Sequence, residues 1–177
     1  MIRSFQGTAP KIDSTAFIAE TAVIVGDVEV GAQSSIWYNV VARGDVNFIR
    51  IGARTNIQDL SMLHVTHRKN EQDSGAPLVI GDDVTVGHSV TLHGCTVGNG
   101  SFIGMQAIVM DKAVIGEGAL IGARSLVTEG TIVPPYTLWI GAPAKMKREL
   151  TAEEIAWLKK SPQNYVKYAL QYINDTP

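Results

Sequence analysis

The sequence holds a single cysteine, Cys95, in 177 residues. One thiol rules out an internal disulfide framework and fits a reducing compartment. Charge is scarce too. Asp, Glu, Lys and Arg make up 18% of the chain and sum to a formal −2. No Lys/Arg cluster disturbs that balance, which argues against nucleic acid as a partner. The opening MIRSFQGTAP lacks the apolar core of a secretory signal. No apolar run approaches the ~20 residues that a membrane-crossing helix requires. These absences predict a soluble, cytoplasmic protein with no membrane partner. Hydrophobic residues reach 45%, enough to build a core, and the length suits one domain.

What the sequence does have is a repeat. Branched aliphatic residues recur every six positions: Ile12, Ile18, Ile24, Val30 and Ile36, then Ile51, Ile57 and Leu63, then Ile80, Val86 and Leu92, then Val97 through Val133. A helix repeats near 3.6 and an amphipathic strand at 2, so neither explains a period of six. Glycine follows many of these anchors, as after Val30, Ile51, Ile80, Val97 and Ile103. Glycine there suits a corner that needs positive φ or a close backbone approach. Short strand, corner, short strand is the signature of a parallel β-helix built on hexapeptides, a triangular prism whose coils take about 18 residues. The 18 anchors imply roughly six coils.

The period breaks between Ile36 and Ile51, and again between Leu63 and Ile80. The second break holds a polar stretch, expected as a loop extruded at 67–77. The β-helix is expected over 1–140. Residues 141–177 then form a linker and helical segment packed on the prism. Thr151 to Glu154 reads as a capping box. Pro162 is expected to interrupt the helical pattern before a second stretch around Tyr165 and Tyr172.

All four histidines, His64, His67, His88 and His93, fall in one window. Imidazole suits zinc, iron(II) and cobalt. His64 follows anchor Leu63 and His93 follows anchor Leu92, so both occupy the second slot of a hexapeptide. They are 29 positions apart, one coil plus about the extruded loop, and should stack on adjacent coils. His88 belongs to the preceding face and points elsewhere. It completes a three-histidine site only if a neighbouring chain supplies it, as in a cyclic trimer. By the same spacing Gln58 stacks close to His88. Three histidine ligands leave a position open for water, the catalytic pattern.

These residues carry a family resemblance. Arg43-Gly44-Asp45, Asn56-Ile57-Gln58-Asp59 with Met62-Leu63-His64, and the run Gly87 to Cys95 resemble the gamma-class carbonic anhydrases and their bacterial relatives, as does Gly141-Ala142-Pro143. The resemblance covers nearly the whole chain. It implies a left-handed β-helix, a homotrimer and one divalent metal at each interface, usually zinc, with iron(II) or cobalt as substitutes. It implies ligands His64, His88 and His93, and reversible hydration of CO2 to bicarbonate by a metal-bound hydroxide. Gln58 would orient that hydroxide, Asn56 would help to position water or CO2, and Tyr165 would either line the pocket or serve only to pack the helix. Arg43, Asp45 and Asp59 would form salt bridges between subunits, Arg43 pairing with Asp59 of its neighbour.

Two departures stand out. The family's glutamate after the Arg-x-Asp motif is Val46 here, and the one three residues after the first ligand is His67. Those glutamates are associated with proton transfer to solvent. His67 can take that role, since its unperturbed pKa lies near neutrality. An ordinary solvated loop residue is the alternative. Cys95, two residues past His93, is expected to be a buried corner residue and no ligand. Competing functions are an acyl-CoA thioesterase on the same site, acyl transfer, and a non-catalytic metal-binding assembly. Acyl transfer needs one histidine and leaves the other two unexplained.

Overall fold

The computed structural model describes residues 1–70 and 72–175. Glu71, inside the expected 67–77 loop, and Thr176 and Pro177, at the end of the expected helical segment, lie outside the described residues. The chain winds as a left-handed parallel β-helix followed by one helix. Each of three faces carries seven parallel rungs. The first face stacks Ile2–Arg3, the beginnings of Val23–Val30 and Val41–Ile51, then Met62–His64, Thr91–His93, Ile108–Val109 and Leu126–Val127. The second stacks Lys11–Ile12, the ends of the same two long strands, then Leu78–Ile80, Thr96–Val97, Val114–Ile115 and Ile132–Val133. The third stacks Phe17–Ile18, Ser35–Ile36, Asn56–Ile57, Thr85–Val86, Phe102–Ile103, Leu120–Ile121 and Thr137–Gly141.

Seven coils exceed the six that the anchors imply. The extra rungs use residues outside the aliphatic pattern. Ile2 pairs with Ile24 at one end, and Trp139 pairs with Ile121 at the other. Inside, the anchors form columns: Ile36, Ile57, Val86, Ile103 and Ile121 are all fully buried. Each such side chain contributes about 1.5–3 kcal/mol of burial, so this core dominates stability.

The glycines after the anchors serve close approach and not backbone handedness. A Cβ on Gly104 would lie 2.5 Å from the Ala123 nitrogen on the next coil. The left-handed corner conformation falls two residues later, on Gln106 at φ 61°.

The coil ends with a reversal. Ala144–Glu149 runs antiparallel to Thr137–Gly141. The helix Ala152–Asn174 follows, opened by the reciprocal Thr151–Glu154 capping box. It is continuous through Pro162, contrary to the interruption expected. A proline inside a helix costs about 3 kcal/mol. Here Pro162 is buried, and the helix is anchored on both sides of it: Trp157 packs on Phe102 at 4.9 Å, and Tyr165 and Tyr172 pack on Trp37 at 5.7 and 5.3 Å. No helix among the described residues is long and apolar enough to cross a membrane.

The extruded segment leaves at the corner between the first and second faces. An antiparallel bridge between Thr66 and Ala76 closes its neck. Asn47 donates from Nδ2 to the carbonyls of Thr66 at 3.0 Å and Ser74 at 2.8 Å, fixing the neck to the coil beneath.

Candidate metal centre

The register places His64 directly opposite His93 on adjacent rungs of the first face. Their side chains turn toward each other, His64 Nδ1 and His93 Nε2 being 3.0 Å apart. Each ring is held from its far side. His64 Nε2 stands 3.2 Å from Asp45 Oδ1, on the coil below. His93 Nδ1 hydrogen-bonds Asp111, on the coil above. Four side chains therefore stack at one corner in the order carboxylate, imidazole, imidazole, carboxylate.

Electrostatics keep this column in a definite state. Burial pulls His64 below its usual pKa, outweighing the Asp45 contact that raises it, so the ring is neutral at pH 7. Burial alone would raise Asp45, but hydrogen bonds from Arg43 and His64 hold it below the ordinary carboxylate range. Asp111 is likewise kept low, against its burial, by His93 and Thr66. With both carboxylates accepting N–H bonds from the outer nitrogens, neutral rings would leave lone pairs on the two inner nitrogens. Two acceptors 3.0 Å apart repel each other unless a proton or a cation lies between them. Two ligands at roughly 2.0–2.1 Å from a tetrahedral ion stand about 3.3 Å apart. The spacing and the donor type fit a zinc-like cation.

His88 is elsewhere. It follows Val86, at the opposite edge of the first face from His93. His88 and Ser89 form the corner that precedes the strand Thr91–His93, with Ser89 at φ 58°, so a whole face separates His88 from the His64–His93 pair. Its Nδ1 lies 2.9 Å from Asp59 Oδ2. Among the described residues, no group of three His, Cys, Asp or Glu side chains is placed to hold a metal within one chain.

His88 instead shares a groove of about 410 Å3 with Gln58 and Tyr165, walled by Phe102, Met105 and Trp157 under the helix. Gln58 is buried, and its Nε2 donates to Asn56 Oδ1 at 3.1 Å. Asn56 Nδ2 donates to Thr85 Oγ1 at 2.9 Å, and Thr85 meets Ser161 Oγ of the helix at 3.0 Å. This chain fixes the Gln58 amide with its nitrogen toward Asn56, leaving the carbonyl oxygen as an acceptor on the other side. Tyr165 is pushed above its usual pKa, first by burial and then by Asp59, so it stays a neutral phenol.

The charged motif residues pair within the chain. Arg43 binds Asp45, and Asp59 faces His88. His67 is exposed just beyond the neck of the extruded segment. Cys95 is fully buried, and burial pushes its thiol from 9.0 up to about 12. Sequence reasoning missed Asp111. The signal was available: Asp111 lies 18 positions beyond His93, one coil further along the same corner.

The bacterial transferase hexapeptide model (six repeats) matches residues 94–129. The chain is 47% identical over 172 residues to the carbonic anhydrase of Geobacillus kaustophilus (strain HTA426), covering 97% of this chain and 91% of that protein. It is 46% identical over 157 residues to the mitochondrial gamma carbonic anhydrase 1 of Arabidopsis thaliana, covering 89% of this chain and 57% of the plant protein. A solved hexapeptide transferase family protein from Anaplasma phagocytophilum superimposes with a TM-score of 0.91 at 47% identity, covering 97% of this chain and 98% of that one. Identity at this level, along nearly the full length of a carbonic anhydrase, means that the chain belongs to the gamma-class carbonic anhydrase-like family of hexapeptide-repeat proteins.

Proposed function

We propose that this protein hydrates CO2 reversibly to bicarbonate at a divalent metal shared between subunits of a homotrimer. The observation that carries this reading is the pair of inward-facing nitrogens on His64 and His93, each backed by a carboxylate. Two ligands at one edge of a face and His88 at the opposite edge suit a closed ring of three. In that ring each subunit presents one edge to the next. His64 and His93 of one subunit and His88 of its neighbour would hold the ion, zinc first, with iron(II) or cobalt as substitutes. When bound, the cation supplies Lewis-acid activation that brings the pKa of water near 7.

The chain's own residues do the rest. Gln58, held by Asn56, offers a carbonyl oxygen that accepts a hydrogen from the reacting water and sets its orientation. Asn56 acts through Gln58, with its own amide tied to Thr85. Phe102, Met105 and Trp157 give CO2 an apolar approach, and Tyr165 closes that wall with a neutral hydroxyl. Arg43, bound to Asp45 through one guanidinium nitrogen and partly exposed, would turn its remaining donors to Asp59 of the neighbour while Asp45 keeps its contact with His64. His67 carries the released proton to solvent in place of the family's glutamates. If so, His67→Ala slows turnover in dilute buffer, and added imidazole restores it.

One observation favours a second reading. A groove of about 410 Å3 is far larger than CO2 fills, and an acyl chain would fit it. Hydrolysis of an acyl-CoA thioester at the same site is therefore the alternative. Stopped-flow CO2 hydration on anaerobically purified protein, loaded with zinc or iron(II), decides. Metal-dependent hydration that is absent from His93→Ala supports the anhydrase. An inert, fully loaded trimer that cleaves acyl-CoA supports the thioesterase. Inertness toward both leaves a metal-binding assembly without catalysis.

A further inference from the structure

Asp111 belongs to none of the motifs that mark the site, yet it hydrogen-bonds one of the two paired histidines directly. Its Oδ1 meets His93 Nδ1, and its Oδ2 accepts from Thr66 Oγ1 at 2.6 Å. Both carboxylate oxygens are thus committed, one to the imidazole and one to the neck of the extruded segment. The neck is itself fixed, because Thr66 and Ala76 exchange backbone hydrogen bonds at 2.9 and 3.1 Å. Backbone bonds also pin the coil on both sides of the carboxylate: Lys112 N donates to Gly94 O at 2.7 Å, and Gly130 N donates to Asp111 O at 3.0 Å. Gly94 leaves the room. A Cβ there would lie 2.7 Å from Asp111 Oδ1, so any larger residue would push the carboxylate off His93.

We propose that Asp111 is the positioning residue of the metal centre, holding His93 as its Nδ1–H tautomer so that the Nε2 lone pair faces His64. The proposal rests on the reading of His93 as a metal ligand and adds what orients it. A carboxylate behind an imidazole fixes the ring, fixes the tautomer and strengthens the ring as a donor to a cation. Without it the ring can rotate about χ2 or carry its proton on Nε2, and either change removes the lone pair from the shared point. Asp111 acts through the His93 ring, so its effect falls on metal retention and not on the affinity for CO2.

The test uses three variants: Asp111→Ala, Asp111→Asn and Thr66→Val. Zinc affinity is measured by chelator competition, and the tautomer of His93 by long-range 15N–1H correlation on the metal-free protein. Asp111→Ala should lower zinc affinity by about 10- to 100-fold, with trimer and circular dichroism unchanged. It should also lose the Nδ1–H signature of His93. Asp111→Asn should fall between Asp111→Ala and the parent, and Thr66→Val should fall by less, since Asp111 keeps its contact with His93. KM for CO2 at saturating zinc should stay within twofold of the parent. Zinc affinity within twofold of the parent in Asp111→Ala, or Nε2–H on His93 in the unsubstituted protein, overturns the proposal. Retention of zinc by His93→Ala would instead overturn the ligand reading. The metal-free tautomer still reports Asp111's grip on the ring in that case.

Discussion

The coils from Thr96 to Val133 and those from Val41 to His93 share one core but keep different time. In the upper stretch every pairing is 18 residues wide: Val97 with Ile115, Ile103 with Ile121, Val109 with Val127, Ile115 with Val133. In the lower stretch hardly any is. Gly26 pairs with Gly44, 18 positions on, but Val28 pairs with Ile49, 21 on. Leu63 pairs with Leu92, 29 on, and Leu92 with Val109, only 17 on. All three irregularities fall at one corner, between the first and second faces: after Gly44, after His64 and after His93. That corner is where Asp45, His64, His93 and Asp111 stack. The regular coils carry no histidine at all. The inward columns stay aligned through every insertion, because the extra residues bulge outward and leave the anchors in place. Regularity here holds the protein up, and the departures from it bring chemistry to the surface.

Breaking the ligand set should give the largest effect. His93→Ala and His88→Ala should each lose stoichiometric zinc and CO2 hydration while the coil stays folded. Refolding the two variants together should restore part of both, read by atomic absorption and stopped flow. No recovery, with mixed trimers shown by native mass spectrometry, breaks the split-site reading. A cavity in the regular coils should do the reverse. Ile103→Ala should lower unfolding free energy by about 2–5 kcal/mol in urea, yet zinc bound per folded chain should not change. Shortening an irregular segment should cost little. Replacing residues 68–74 with two glycines should change stability by no more than about 1 kcal/mol, since loop closure depends weakly on length. Equilibrium urea unfolding measures it.

Smaller effects sharpen the contrast. A thiol near 12 is not a thiolate at pH 8, so Cys95 should resist iodoacetamide in the folded protein and react on denaturation, as mass spectrometry would show. Far from the corner, the Arg148 ion pair holds Glu154 at about 2. Its folded pKa is depressed from 4.5, so its contribution to the cap is present above 4.5 and lost as pH falls through about 2. A carboxyl NMR titration should show that midpoint, and Arg148→Ala should move it upward.

The coil was legible because its cause is periodic: a buried aliphatic residue every six positions leaves little else for the chain to do. The pairing of His64 with His93 was legible for the same reason, since both follow a core anchor and the register carries them together. Pro162 was misread because the helix it occupies is held by Trp37 and Phe102, which no local pattern shows. Asp111 was missed because its nearest anchor, Val109, sits in a wholly regular series. Its partner lies 18 residues back, across a corner one residue shorter than the rest.

The strand Ala144–Glu149 has a consequence for the size of the molecule. A parallel coil contains no instruction to stop, and the rung Thr137–Gly141 would otherwise offer an unpaired edge on which an identical rung of another molecule could stack. The chain doubles back and fills that edge itself, in the opposite sense. The strand it leaves outermost is exposed from Lys145 to Glu149 and bears Lys145, Lys147, Arg148 and Glu149. Charge of that density makes a poor template for further growth. On the third face, then, a single reversal separates a finite particle from a fibre.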